Sequence, residues 1–149
     1  HAPVVDGGNV LSNTQLGART NYVTIRGFTL RNVGDGGLIA AGSSSNIITG
    51  VVFELNDVHG VTRPDTDNQA AIFLRYTDGT IVRNNHLHNE PDTRVGANIA
   101  AVFLNTNHNA IVENNDIHDF STGIFDKYGG NSNEYRYNYI HQIDRGIIF

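Results

Sequence analysis

The sequence predicts an all-β fold in which short strands stack coil upon coil into a β-solenoid of about five coils, and three observations carry that expectation. Sixteen glycines and nineteen asparagines punctuate short apolar runs, a composition of strands divided by tight turns. Nowhere do apolar residues recur with the period of an amphipathic helix. The chain also repeats itself. NYVTIRGFTLRN (21–32), NIITGVVFELND (46–57), TIVRNNHLHN (80–89), AIVENNDIHD (110–119) and NEYRYNYIHQ (133–142) align on one aliphatic position. A period of this size marks a stack of units, none of which can bury its apolar face alone.

Each copy reads as strand, bend, strand, turn, strand. The shared aliphatic is placed at Leu30, Leu55, Leu87, Ile117 and Ile140, with spacings of 25, 32, 30 and 23 residues. Alternation along the strands sends Ile25, Val82, Val112 and Tyr135 inward with that column. At the bend between them stand Phe28, Phe53, Asn85, Asn115 and Asn138. The three asparagines are expected to form an interior ladder, each amide bonded to the coils above and below. One residue past the aliphatic, Arg31, Asn56, His88, His118 and His141 are expected to face outward, with the imidazoles about 4.8 Å apart. Stacked rings bonded to neighbouring Asn, Asp or Gln side chains are the plain reading of this column, and metal ligation is the sharper one.

The third strand of each copy is GLIAAG, AIFLRY, AVFLNT, GIFDKY or GIIF. With Ile72, Val102, Ile124 and Ile147 inward, Ile39, Phe73, Phe103, Phe125 and Ile148 form an outward column, and Arg75, Asn105 and Lys127 form another two residues on. Aromatic rings beside cations suit sugars that carry carboxylates, unless the inserted loops at 58–70 and 89–98 cover the rings.

Composition narrows the partners. A net charge of −5, with one lysine against nine arginines, provides no basic field for nucleic acid. No cysteine is present to build a disulfide or a thiolate metal site. No apolar run reaches the roughly 18 residues of a membrane span. In the first insertion, Asp65, Asp67 and Asn68 offer oxygens to calcium, without the glycine-centred pattern of a dedicated loop. The chain is expected to be one domain over 1–149. It begins HAPVVDGG and ends RGIIF without a recognisable cap, as a piece of a longer parent protein would, or a module that self-associates end to end through open coils.

The entry PVVDGG followed by NYVTIRGFTLRN, and the recurring Asn, aliphatic, Asn strands with their GIxL-like partners, resemble the right-handed parallel β-helix family of the pectate-lyase-like superfamily over nearly the whole chain. That resemblance implies a right-handed parallel β-helix, here lacking one or both caps. It also implies a secreted or cell-surface protein that cuts, epimerises or binds an acidic, uronate-containing polysaccharide. The segment GIFDKYGGNSNEYRYNYIHQIDRG (123–146) is similar to the alginate lyase and chondroitinase B family, in which a strand lysine precedes an Asn, Tyr, Arg, Asn pattern and a later arginine. The similarity implies Lys127 as the base of a β-elimination, Arg145 at a shifted spacing as the later arginine, and Arg136 in a supporting role. Phe73, Arg75, Phe103, Asn105, Phe125, Asp126 and Arg136 are then the candidate substrate contacts. Where that family places acidic calcium ligands, this chain has Phe120, Ser121, Thr122 and Gly123. Asp116, Asp119, Asp126 and Asp144 are too dispersed to nominate a hydrolase pair. The rival expectation is a non-catalytic structural module.

Overall fold

The computed structural model describes residues 2–8, 16–33, 36–61, 68–90 and 98–149, and among them the regular elements are all strands. They build three parallel sheets that run the length of a solenoid. The first sheet has six strands: Val4–Asp6, Thr29–Arg31, Asp57–His59, His86–His88, Asp116–His118 and Tyr139–His141. The second has five: Thr24–Arg26, Val52–Glu54, Ile81–Arg83, Ile111–Glu113 and Glu134–Arg136. The third contains Leu16–Ala18, Gly36–Ala41, Gln69–Asp78, Ile99–His108, Thr122–Lys127 and Arg145–Ile148, with Ile48–Thr49 paired to the end of Gln69–Asp78. Among the described residues no helix is long and apolar enough to cross a membrane.

Three-residue strands survive because each interior one is held on both sides, by the coil above and the coil below. The corner between the second and first sheets is made by one residue per coil in the left-handed region: Gly27, Leu55, Asn84, Asn114 and Tyr137, with φ of 73°, 55°, 54°, 54° and 57°. Asparagine tolerates this backbone and glycine adopts it freely, and six of each have positive φ among the described residues. At four of these corners the amide N–H donates to the next coil, at 3.3 Å each, from Gly27 to Glu54 O, Leu55 to Arg83 O, Asn84 to Glu113 O and Asn114 to Arg136 O.

The residue after each corner points inward and forms the asparagine ladder, which has four rungs rather than three. Asn56, Asn85, Asn115 and Asn138 follow one another, and the Phe28 N–H donates to Asn56 Oδ1 at the head of the series. Each amide nitrogen of Asn56, Asn85 and Asn115 also donates to the Oδ1 of the next rung, at 3.1, 3.0 and 2.9 Å.

This corrects the second copy of the repeat by three residues. Leu55 is a corner residue, half exposed. The aliphatic in register with Leu30 and Leu87 is Val58, so the column is spaced by 28, 29, 30 and 23 residues. Phe53, expected at the bend, pairs with Ile25 and Val82 and is fully buried. Asn56, expected to face outward, belongs to the interior ladder. The physical reason is that a corner Leu followed by Asn-Asp looks, in one dimension, like a core aliphatic followed by its turn.

Leu30, Val58, Leu87 and Ile117 are fully buried, as are Val82 and Val112, and Tyr135 packs half-buried against them. Leu38, Ile72, Val102 and Ile124 close the core from the third sheet. Outside the second sheet, Arg26, Glu54, Arg83, Glu113 and Arg136 stand in register with alternating charge. Arg26 and Arg83 pair with Glu54 at 3.3 and 2.8 Å, and Arg136 pairs with Glu113 at 2.8 Å.

Candidate functional site

Two outer faces carry chemistry. On the third sheet the expected columns are present in register: Ile39, Phe73, Phe103, Phe125 and Ile148, and beside them Ala41, Arg75, Asn105 and Lys127. Phe103 is fully enclosed, with the ring centroids of Phe73 and Phe125 at 5.3 and 5.1 Å. Its ring is therefore no exposed platform. Phe73 and Phe125 are partly exposed, packed against a small cluster of Ala70, Ala100 and Phe103. The residues 62–67 and 91–97, most of the two insertions, lie outside the described residues, and with them Asp65 and Asp67.

The aromatic surface on this face comes from rings that the repeat does not single out. Tyr76 and Tyr128 follow the cationic positions at corners with φ of 49° and 64°. Arg75 Cζ lies 5.3 Å from the Tyr76 ring centroid, and Lys127 Nζ lies 4.7 Å from that of Tyr128 and 5.6 Å from that of Phe125. The tyrosine that follows each cation, in RY and KY, is the signal that would have found them. Among the described residues, neither Arg75 nor Lys127 forms an ion pair. A cavity of about 500 Å³ at this end is lined by Phe125, Asp126, Lys127, Tyr128, Gly129, Gly130, Ile148 and Phe149.

Of the remaining candidates Asp126 reaches this cavity, whereas Arg136 and Arg145 do not line it. Asp126 is in register with Leu104 and takes an interior position. Its Oδ2 accepts from the Tyr135 hydroxyl at 2.6 Å and from Asn133 Nδ2 at 2.9 Å, while its buried Oδ1 has no hydrogen-bond partner. Burial and the neighbouring Asp126 carboxylate push the Tyr135 hydroxyl far above its ordinary pKa, so it stays a donor. Arg136 lies on the second sheet in its ion pairs. Arg145 is in register with Thr122, at the far end of the strand that ends in Lys127. Five residues at about 3.3 Å put roughly 16 Å between the two positions along the sheet. Lys127 and Arg145 do not share a site.

The second face is the outside of the first sheet. His59 occupies the place given to Asn56, so Arg31, His59, His88, His118 and His141 form the outward column. Neighbouring rings stack at 4.9, 5.3 and 4.8 Å, with interplanar angles of 21°, 20° and 25°. Two residues back on each strand runs a companion column, Asp57, His86, Asp116 and Tyr139. His88 Nε2 contacts Asp57 Oδ1 at 3.0 Å and His141 Nε2 contacts Asp116 Oδ1 at 3.2 Å. His86 Nε2 faces His118 Nε2 at 3.0 Å, and His118 Nδ1 contacts Asp119 Oδ2 at 2.8 Å. Desolvation, then the charges of His86 and His59, hold the His88 pKa below its usual value, against the pull of Asp57. His59, His86, Asp57 and Asp116 are additions to the expected set. The alternation DVH, HLH, DIH, YIH would have shown them once the second copy was aligned on Val58.

Stacked three-residue strands, left-handed corners and a polar ladder define a parallel β-helix. A family model described as right handed beta helix region matches residues 12–149, and the chain belongs to that family. No curated protein and no solved structure matches it.

Proposed function

We propose that the protein binds an anionic, uronate-containing polysaccharide along the outer face of the third sheet. One observation carries the reading. Arg26, Arg31, Arg83 and Arg136 on the other sheets are each committed to a carboxylate at 2.7–3.3 Å, whereas, as at Arg19 and Arg145, no carboxylate pairs with Arg75 and Lys127 among the described residues. These two stand in register through Asn105, about 10 Å apart at two strand spacings. Each is flanked by a tyrosine ring that can lie against a sugar face while the cation meets a carboxylate. A linear polymer laid across the strands would meet charge, amide, charge in sequence. A location outside the cytoplasm, where such polymers occur, goes with this reading.

The test is affinity electrophoresis and calorimetry against alginate, pectate and chondroitin, with neutral glucans as controls. Retardation by the polyuronates alone is expected, weakening with salt. Two exposed charge contacts at about 0.7 kcal/mol each make the Arg75→Ala/Lys127→Ala double variant roughly tenfold weaker. No binding to any polyuronate, or undiminished binding by the double variant, overturns the proposal. The absorbance of an unsaturated uronate product, followed in the same mixtures with and without calcium, separates cleavage from binding. Sedimentation velocity separates both from end-to-end assembly, for which length-distributed polymers are the signature.

A further inference from the structure

The imidazole face of the first sheet carries the same ligand set twice. Asp57 and His59 on one strand, with His88 on the next, form one group, and Asp116 and His118, with His141 on the next, form the other; within each, the candidate ligand atoms lie within 4.8 Å of one another. The two groups share no residue. They arise because, over the last four strands of the sheet, Asp, aliphatic, His occurs on alternate strands, while the outward histidine occurs on all four.

We infer that these are two equivalent divalent-metal sites, each of two imidazoles and one carboxylate, suited to a borderline first-row cation such as zinc or cobalt. The donor set is the first reason. Two imidazoles and a carboxylate on one side of an ion suit zinc and its first-row neighbours and leave a position for water. Spacing is the second. Ligand atoms about 2.0–2.1 Å from an ion stand about 3 Å apart, and the carboxylate-to-imidazole contacts are already 3.0 and 3.2 Å. A carboxylate against a second ring nitrogen is the third, at the second site: Asp119 holds His118 at Nδ1, which fixes the ring and makes Nε2, now 3.0 Å from His86 Nε2, the atom to meet an ion, the outer-shell arrangement common at metal-bound histidines.

His86, His88 and His118 form a third group that overlaps both of the others. It has no carboxylate to offset the charge of an ion, and filling it would take one imidazole from each flanking site. Two ions in the flanking sites use more ligands and all of the available charge.

The untagged chain is stripped with chelator, dialysed against cobalt or zinc, and its metal content counted, with the cobalt visible spectrum reporting coordination. Two ions per chain are expected. His88→Ala and His141→Ala should each leave one, by abolishing opposite sites, and the double variant should leave none. His86→Ala should still take up two. Because all these side chains point outward from a sheet whose core is untouched, circular dichroism of each variant should match the parent; Asp57→Asn offers a milder variant with the expected loss of one ion. Uptake no greater than that of the His88→Ala/His141→Ala chain overturns the inference. So does a single ion that disappears with His86→Ala, which would place the metal in the central group.

Discussion

Asn115→Ala is the perturbation that most directly tests what holds the coils together. The side chain is 1% exposed and makes four hydrogen bonds. Its Nδ2 donates to Val82 O at 3.0 Å and to Asn138 Oδ1 at 2.9 Å, and its Oδ1 accepts from the Asn85 backbone N–H and from Asn85 Nδ2, both at 3.0 Å. At about 1 kcal/mol net for each, truncation costs about 4 kcal/mol, and the buried Asn85 N–H loses its acceptor. That is a large share of the 5–15 kcal/mol typical of a folded domain. Urea unfolding followed by circular dichroism is the assay; with a slope near 2 kcal/mol/M, the midpoint should fall by about 2 M. The neighbouring Asn114→Gly, at an exposed corner already in the left-handed region, serves as the control and should leave the midpoint almost in place. A fall of less than about 0.5 M in Asn115→Ala, at an unchanged slope, would refute the view that the ladder is an energetic spine.

Other consequences are measurable in the same way. Tyr135→Phe removes the 2.6 Å donor to the inward-facing Asp126, so a loss of about 1.5–3 kcal/mol is expected by denaturant titration. Leu55→Asn places a residue that tolerates the left-handed corner where a half-exposed leucine now sits, and a gain of about 1 kcal/mol should appear as a raised Tm. With chelator present, stability should decline as pH falls below about 6.5, because the unfolded chain then protonates at residue 88 while the folded ring, held at a lower pKa, does not. The decline levels off once the folded ring titrates, and His88→Asn should flatten that part of the Tm profile.

The repeat made the architecture legible because apolar alternation and the recurring Asn survive in every copy after the second. Leu30, Leu87, Ile117 and Ile140 stand in the column assigned to them, and the third-sheet register is as expected at every described position. The second copy slipped because Leu55 carries a core-like side chain at a corner, and nothing local in the sequence reports a positive φ. That slip hid His59, and with it the regularity of the imidazole face. Phe103 illustrates a different limit. Its outward direction follows from alternation, but its enclosure depends on packing that alternation does not encode. Asp126 misled for the opposite reason: a carboxylate reads as surface, yet it occupies the place that Leu74 and Leu104 fill in earlier coils, where Tyr135 and Asn133 meet it.

The charged rungs outside the second sheet set a rule of growth for the solenoid. Arg26, Glu54, Arg83, Glu113 and Arg136 alternate in sign from coil to coil, and like charges on directly opposed strands repel. Duplicating or deleting a single interior coil would bring two arginines or two glutamates face to face, whereas doing so to an adjacent pair restores the alternation. The same two-coil interval separates Asp57 from Asp116. A solenoid of this kind counts in pairs, and its length can change without penalty only in even steps.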